Sequence, residues 1–210
     1  MKSFIEFITE SKNTHMTHLE DAVIYGGVDG ARDAIMALRS MRNMLAGHSS
    51  TKHKATVKWD GAPAIFAGND PRDGKFFVAT KGVFNKDPKV YKTQADIDKS
   101  LDGDLARKVS MALSEFKNLG IDGVIQGDLM FTKDDLKAET IDGENYITFQ
   151  PNTLVYAIPA NSAAAEKIKG ANIGVVWHTT YTGSSFEDMK ASFGVDISGL
   201  NTPTTVWQQD

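Results

Sequence analysis

The sequence predicts an α+β fold with antiparallel-rich sheets and flanking helices. Residues 55–91 have the texture of short strands, with β-branched and aromatic residues separated by turn formers. Helical spacing of apolar residues returns over 104–119, and short strands then alternate with short helices. No linker rich in proline, glycine or serine separates these parts, so we expect them to form one domain.

The N-terminal part of the chain is predicted to be helical. A first helix is expected over 14–25, and Gly26-Gly27 should interrupt it. Asp29 can cap a second helix that continues to about residue 46, with apolar residues at helical spacing.

The remaining elements follow from periodicity and from turn residues. Strands are predicted over 57–60, 64–68, 75–80, 123–131, 146–150, 154–158 and 173–181. Helices are predicted over 104–119, 162–169 and 184–193, the last because Ser184-Ser185-Phe186-Glu187 matches a capping box.

Composition narrows the classes of function. The chain has 210 residues, of which 41% are hydrophobic and 24% charged, as in ordinary globular proteins. No apolar run is long enough to span a bilayer, so we expect no membrane partner. The absence of cysteine excludes disulfide scaffolds, thiolate zinc sites and cysteine nucleophiles. The net charge of −4 argues against a generally basic surface but allows a local basic groove for nucleic acid.

The segment Lys58-Trp59-Asp60-Gly61 carries the strongest chemical signal. A short apolar run brings Lys58 to its end, an Asp-Gly turn follows, and a second apolar run leads away. Such a strand-turn-strand can hold one amine at the mouth of a pocket, where it can act as a nucleophile. The alternative is a β-turn with a solvated lysine, because Asp-Gly is common in turns.

The order Lys-x-Asp-Gly resembles the first motif of the covalent nucleotidyltransferases, which include ATP-dependent DNA ligases, RNA ligases and mRNA capping enzymes. The resemblance implies a ligase-adenylation (nucleotidyltransferase, ATP-grasp-like) core and names Lys58 as the catalytic residue. This lysine would attack the α-phosphate of ATP, with Mg²⁺ present, and become lysyl-AMP. Trp59, Asp60 and Gly61 would contribute to nucleotide binding.

Two further elements follow in the order of that superfamily. Lys81-Gly82 stands where the family has a basic residue with a glycine, and Lys81 would neutralise phosphate charge. Gly127-Asp128-Leu129, within the predicted strand over 123–131, stands where the family has a strand with Gly-Glu-Leu, with aspartate for glutamate. Asp128 would contact the ribose hydroxyls or a magnesium-bound water, and the glycine would allow the backbone to approach the ligand.

The family also stacks an aromatic residue on the purine. Tyr146 and Phe149 point to opposite faces if residues 146–150 form a strand, so only one can take this role. We predict Phe149, with burial in the core as the alternative for either ring.

The later motifs match less well. Ile173 stands at the acidic position of the fourth motif, Glu-Gly-x-Val, and the fifth motif, Lys-x-Lys, is not visible. His178-Thr179-Thr180 could present an imidazole to a phosphate from a strand, but a single His-x-Thr does not indicate a two-histidine phosphoesterase.

Residues 1–10 resemble the capsid-targeting peptides of internal head proteins in T-even-like tailed phages. The shared features are Met1-Lys2, a Glu-Phe pair, and an aliphatic-x-Glu end at Ile8-Thr9-Glu10. The alternative is an N-terminal helix that docks on the core. The resemblance implies a targeting peptide over 1–10, a ligase-like domain over 11–210, and a location in the phage virion interior or the host cytoplasm.

Taken together, the sequence favours an ATP-dependent polynucleotide ligase-like nucleotidyltransferase with ATP and Mg²⁺ as cofactors. Its partners would be nicked or 5′-phosphorylated nucleic acid and phage head components. The alternative is a catalytically degenerate ligase fold in the phage head that binds nucleic acid or a host protein. The missing acid at Ile173 and the missing Lys-x-Lys favour that alternative.

Overall fold

The computed structural model describes residues 19–48 and 58–210. The chain divides into two compact units, Met1–Lys58 and Trp59–Asp210, where the sequence predicted one domain from residue 11 onwards. The predicted boundary after residue 10 lies outside the described residues.

The described part of the first unit consists mainly of helix α1 (Leu19–Leu45). The helix is interrupted at Gly27, whose φ of 57° and ψ of −138° are not helical, so the predicted Gly26-Gly27 break is confirmed. The two parts of α1 pack closely, because a Cβ atom on Gly30 would overlap the carbonyl oxygen of Ala22. The predicted start of the first helix at residue 14 lies outside the described residues.

Six of the described strands in the second unit form one sheet. They are β1 (Ala64–Asn69), β2 (Phe76–Ala79), β3 (Val124–Thr132), β7 (Ile173–Thr182), β8 (Lys190–Phe193) and β9 (Val206–Gln209). The order is β2-β1-β3-β7-β8 with antiparallel neighbours, and β9 pairs in parallel with β7. The predicted strands over 64–68, 75–80, 123–131 and 173–181 are confirmed to within one residue at either end.

A smaller antiparallel sheet contains β4 (Lys137–Ile141), β5 (Glu144–Phe149) and β6 (Tyr156–Pro159), in that order. The sequence predicted β5 and β6 with boundaries shifted by one or two residues. It missed β4 because every residue of that strand is exposed, so no alternation of apolar and polar residues marks it.

Three further helices belong to the second unit: α2 (Gln94–Ser100), α3 (Gly103–Phe116) and α4 (Ala163–Gly170). The predicted helices over 104–119 and 162–169 correspond to α3 and α4. Ser162 caps α4 by accepting a hydrogen bond from the backbone N–H of Ala165 at 3.1 Å.

Two sequence predictions are wrong. The helix over 184–193 does not form: Ser185 caps a single turn with Asp188, and the chain then pairs with β7 as β8. Pairing with a long neighbouring strand thus overrides the local capping signal. Within the predicted strand over 57–60, residues 58–60 have no regular structure, and residue 57 lies outside the described part.

The two faces of the main sheet differ. One face packs against α2 and α3 through a cluster that includes Ile125, Leu129 and Trp177 from the strands. The other face carries two separate apolar clusters, one around Val124 and Tyr181 and one that contains Met130, Phe131, Phe149 and Val176. Side chains alternate along β3, so Val124, Gln126, Asp128 and Met130 share this face. Val124 belongs to one cluster and Met130 to the other, so Gln126 and Asp128 lie between the two clusters.

A buried carboxylate fixes the turn between β1 and β2. Asp70 is fully buried. Its carboxylate accepts a hydrogen bond from the Arg72 guanidinium at 2.7 Å and forms an ion pair with the Lys92 ammonium at 2.6 Å. Burial alone would raise the pKa of Asp70, but the hydrogen bonds from Arg72 and Lys92 outweigh it and hold the pKa well below its usual range.

Candidate functional site

The segment that follows Lys58 lies directly against β3 at Asp128. The backbone N–H of Ala62 donates to the carbonyl oxygen of Leu129 at 3.0 Å, and the N–H of Leu129 donates to that of Pro63 at 3.1 Å. Two motifs that are 67 residues apart in sequence, counted from Gly61 to Asp128, therefore meet in the fold.

Gly61 is required by this close approach. A Cβ atom on it would lie 2.7 Å from Asp128 Cβ, 2.9 Å from the carbonyl oxygen of Leu129 and 2.9 Å from Met130 Sδ. Two of these three atoms are fixed to the backbone, so the segment could not keep its position with a larger residue.

Asp60 holds the segment to the loop between β5 and β6. Its carboxylate accepts hydrogen bonds from Asn152 Nδ2 at 3.1 Å and from Thr153 Oγ1 at 2.8 Å. Its backbone N–H donates to Tyr156 Oη at 2.8 Å. These contacts hold the segment in place, and the nucleotide contact that the resemblance implies for Asp60 stays a prediction.

Trp59 belongs to an aromatic cluster. Its half-buried ring stacks on Tyr156 with centroids 5.3 Å apart, and Trp207 packs against it edge-on at 5.8 Å. Tyr156 stacks in turn on Phe149 at 5.4 Å. Phe149 is only 2% exposed and also contacts Phe131 at 4.9 Å.

The prediction that Phe149 stacks on a purine is therefore not supported by its surroundings. Its ring is packed on other aromatic rings in the core, which was the alternative that the sequence left open. The half-buried rings of this cluster are Trp59, Tyr156 and Trp207, and Trp59 is the one next to Lys58 in the chain.

The polar strip of the main sheet consists of Gln126, Asp128, His178 and Thr179. Thr179 pairs with Gln126 across the β3–β7 ladder, so their side chains share a face. His178 Nε2 lies 3.6 Å from Asp128 Oδ1, and His178 Nδ1 lies 2.8 Å from Thr179 Oγ1. These contacts bring polar groups of two strands together between the apolar clusters.

A β-bulge places His178 in this strip. Gln126 pairs with Thr179 whereas Gly127 pairs with Trp177, so one step along β3 spans two residues of β7, and His178 is the extra residue. A bulge re-aims a side chain in this way and is often found beside functional sites. The sequence analysis considered His178 as a phosphate contact but did not include it in the nucleotide site. The bulge that directs its side chain towards Asp128 depends on the pairing between β3 and β7, so the pattern of apolar residues could not predict it.

Tyr181 lies at the Gln126 end of the polar strip. Its hydroxyl donates to Gln126 Oε1 at 2.7 Å, and burial raises the pKa of Tyr181 to about 12. The phenol is therefore protonated at physiological pH and remains a hydrogen-bond donor to the amide.

The two lysines of the predicted site are both exposed. Lys58 immediately precedes Trp59. The last residue of β2, Ala79, pairs with Phe66 of β1, and Ala64 at the start of β1 pairs with Asp128 of β3. The C-terminal end of β2 is therefore near the level of Asp128 along the strands. Lys81 follows β2 by two residues, in a short 3₁₀ turn at that end.

Two sequence interpretations need correction. A Cβ atom on Gly127 would overlap the Val176 carbonyl oxygen and lie 2.8 Å from the Trp177 ring, so this glycine serves the packing of β3 on β7. Ile173 is fully buried on the face that α3 covers, so the position that seemed to lack an acid does not face the polar strip.

The capacity of the described residues for metal binding is limited. Within residues 19–48 and 58–210, no three histidine or carboxylate side chains form a group that could hold a metal by themselves. Mg²⁺ beside a nucleotide needs only one or two carboxylates, because water and phosphate oxygens complete its coordination. Asp128, with 22% of its side chain exposed, is the carboxylate that the resemblance names for this role, and the role stays a prediction.

Comparison with known proteins identifies the family. Residues 13–210 match the DUF6267 family, described as a family of unknown function. The chain belongs to the DUF6267 family. No curated protein and no solved structure shows significant similarity to this DUF6267 member. Across the described residues, its helices are too short or too polar to traverse a bilayer.

Proposed function

We propose that this DUF6267 protein is an ATP-dependent polynucleotide ligase-like nucleotidyltransferase with Lys58 as its nucleophile. The observation that carries the proposal is the contact between Gly61 and Asp128, which joins the Lys-x-Asp-Gly segment to the strand that resembles the third family element. A polar strip between two apolar clusters on the same sheet face is a suitable setting for a nucleotide.

In the proposed reaction, Lys58 Nζ attacks the α-phosphorus of ATP. A nitrogen–phosphorus bond forms, the bond to the β-phosphate oxygen breaks, pyrophosphate leaves, and the lysine proton passes to solvent. The AMP would then be transferred to a 5′-phosphate of nucleic acid, and a 3′-hydroxyl would displace it to seal the strand. Positioning and charge neutralisation supply most of the catalysis in phosphoryl transfer.

The other residues would act on the nucleotide around this step. Lys81 would offer a point charge to the phosphates, and Asp128 would hold Mg²⁺ or the ribose hydroxyls. Mg²⁺ would neutralise phosphate charge when bound. Trp59 would present the accessible ring beside the nucleophile, in place of the buried Phe149. Asp60 and Gly61 would fix the segment that carries Lys58.

The phage origin is part of the same proposal. It rests on the resemblance of residues 1–10 to capsid-targeting peptides, which would place the protein in the virion interior with head components, or in the host cytoplasm after delivery.

The proposal is tested by the intact mass of the protein after incubation with ATP and Mg²⁺. Wild-type protein should gain the mass of one AMP, and Lys58→Ala should gain none. Lys58→Arg keeps the charge without a nucleophilic amine and should also gain none. Lys75→Ala, which removes another exposed lysine, is the matched control and should behave as wild type. An adduct of equal yield on Lys58→Ala would refute the assignment.

The alternative is a degenerate ligase fold that binds nucleic acid or a host protein. The burial of Phe149 favours it, because the predicted purine platform is absent at that position. Tight binding of DNA or RNA that weakens steeply with salt, together with no ATP binding by calorimetry and no adduct, would support this alternative over the enzyme.

A further inference from the structure

The pair formed by Asp128 and His178 has the spacing of two ligands that share an ion. The 3.6 Å between His178 Nε2 and Asp128 Oδ1 is too long for a hydrogen bond. Two ligand atoms about 2.1 Å from one metal lie about 3.0 Å apart in octahedral geometry and about 3.4 Å apart in tetrahedral geometry. The observed distance is a few tenths of an ångström wider than that of a tetrahedral site, a difference that side-chain rotation can close without a rearrangement of either strand.

The second ring nitrogen of His178 has a hydrogen-bonding partner, as metal-binding histidines do, but here that partner is a hydroxyl in place of the usual carboxylate, backbone carbonyl or water. Nδ1 lies 2.8 Å from the hydroxyl of Thr179, a residue that is only 1% exposed. When Nδ1–H donates to this hydroxyl, Nε2 directs its lone pair towards Asp128. An oriented imidazole of this kind, with one nitrogen hydrogen-bonded and the other open, is the usual arrangement around a bound metal.

Backbone geometry supplies this orientation. His178 is the extra residue of the β7 bulge, and the bulge allows two successive side chains, His178 and Thr179, to contact each other on the face that carries Asp128. In a regular strand, successive side chains would point to opposite faces.

We propose that Asp128 and His178 together bind a divalent first-row transition metal, with His178 as a nitrogen ligand. Magnesium prefers oxygen ligands, whereas an imidazole beside the carboxylate favours a first-row transition metal, for which paramagnetic Mn²⁺ can serve as the probe. Two protein ligands leave the remaining positions to water and to phosphate oxygens. The role of the ion beside a nucleotide rests on the proposed function, but its binding can be tested with the metal alone.

The test uses Mn²⁺ and the 210-residue chain without nucleotide. Free Mn²⁺ is measured by electron paramagnetic resonance during a titration, and the bound ion is examined by electron spin echo for coupling to an imidazole ¹⁴N. Wild-type protein should show this coupling. His178→Ala should lose it and bind Mn²⁺ at least about tenfold more weakly. The matched control is His48→Ala, which removes an exposed histidine of the first unit and should change neither result.

Asp128→Asn should weaken Mn²⁺ binding while the secondary structure stays intact by circular dichroism. If His178→Ala fails to fold, His178→Gln serves instead, because its amide can keep a contact to Thr179 while it is a poorer metal ligand. Bound Mn²⁺ without ¹⁴N coupling, coupling that persists in the His178 variant, or no binding at millimolar metal would each overturn the proposal.

The outcome is separable from that of the Lys58 adduct. Metal binding with ¹⁴N coupling but no adduct would leave this inference standing and refute the enzyme. An adduct that forms equally well in His178→Ala, with no ¹⁴N coupling in wild type, would do the reverse.

Discussion

Replacement of Gly61 by alanine is the sharpest test of the contact that brings the two motifs together. The added methyl would meet Asp128 Cβ at 2.7 Å and the Leu129 carbonyl oxygen at 2.9 Å, both closer than ordinary contacts. These atoms belong to the central strand β3, which is paired on both sides by β1 and β7, so the segment before β1 must move instead.

The expected cost follows from that movement. Overpacking of a close contact costs about 1–3 kcal/mol. Displacement of the segment also strains the hydrogen bonds of Ala62 and Pro63 to Leu129, each worth about 1 kcal/mol. We therefore expect Gly61→Ala to lower the free energy of unfolding by about 2–4 kcal/mol, or the melting temperature by about 5–15 °C.

Urea unfolding followed by tryptophan fluorescence measures this change, since Trp59 lies in the displaced segment. The matched control is Gly170→Ala at the end of α4, where a Cβ atom meets nothing within 4 Å and helix propensity predicts a neutral or slightly stabilising effect. A Gly61→Ala protein as stable as wild type would refute the close packing of this segment on β3. The same variant should also form no AMP adduct if the proposed function holds.

Two further predictions concern buried polar groups. Asp70→Asn should cost about 2–4 kcal/mol at neutral pH, because Arg72 and Lys92 lose their shared carboxylate. Since the pKa of Asp70 is depressed in the folded state, its contribution to the free energy of unfolding is present above about pH 4 and is lost as the pH falls below that value. In urea unfolding, the difference in stability between wild type and Asp70→Asn should therefore shrink below about pH 4. A difference that stays constant with pH would contradict this reasoning. Tyr181→Phe should cost about 1 kcal/mol by leaving Gln126 without its donor. Because the folded pKa of Tyr181 is raised to about 12, wild type should lose stability from about pH 10 upwards more steeply than this variant in the same measurement.

Most of the main sheet could be predicted because its strands carry the pattern that burial imposes. β1, β2, β3 and β7 were placed to within one residue at either end by apolar runs and turn residues. The edge strands β4 and β8 were missed because their residues are largely exposed, so no apolar alternation marks them. For β4 a local signal was available, since Asp142-Gly143 forms the two-residue turn that joins it to β5.

The candidate site was predicted in part. The sequence identified Lys58, Gly61 and Asp128, and the fold brings the last two into contact. It assigned a stacking role to Phe149, but this ring is buried in the core. The sequence could not separate the two cases, because an aromatic residue in a strand gives the same pattern whether it faces a ligand or another ring. It gave His178 no role in the nucleotide site, because the bulge that re-aims this side chain is a property of pairing between strands.

The position of Ile173 changes the balance between an enzyme and a degenerate fold. In the sequence analysis, Ile173 at the glutamate position of the fourth nucleotidyltransferase motif favoured a catalytically degenerate fold. That argument holds only if this position faces the nucleotide site. Ile173 is instead fully buried on the face covered by α3, at the β3 residue Thr132, four residues beyond Asp128. On the face that carries Asp128, β7 places Val176 as its paired residue and His178 with a ring nitrogen 3.6 Å from its carboxylate. If the proposed function holds, the imidazole beside Asp128 should change the preference for the metal, and the adduct yield should then differ between Mg²⁺ and Mn²⁺. Equal yields with the two ions would argue against this.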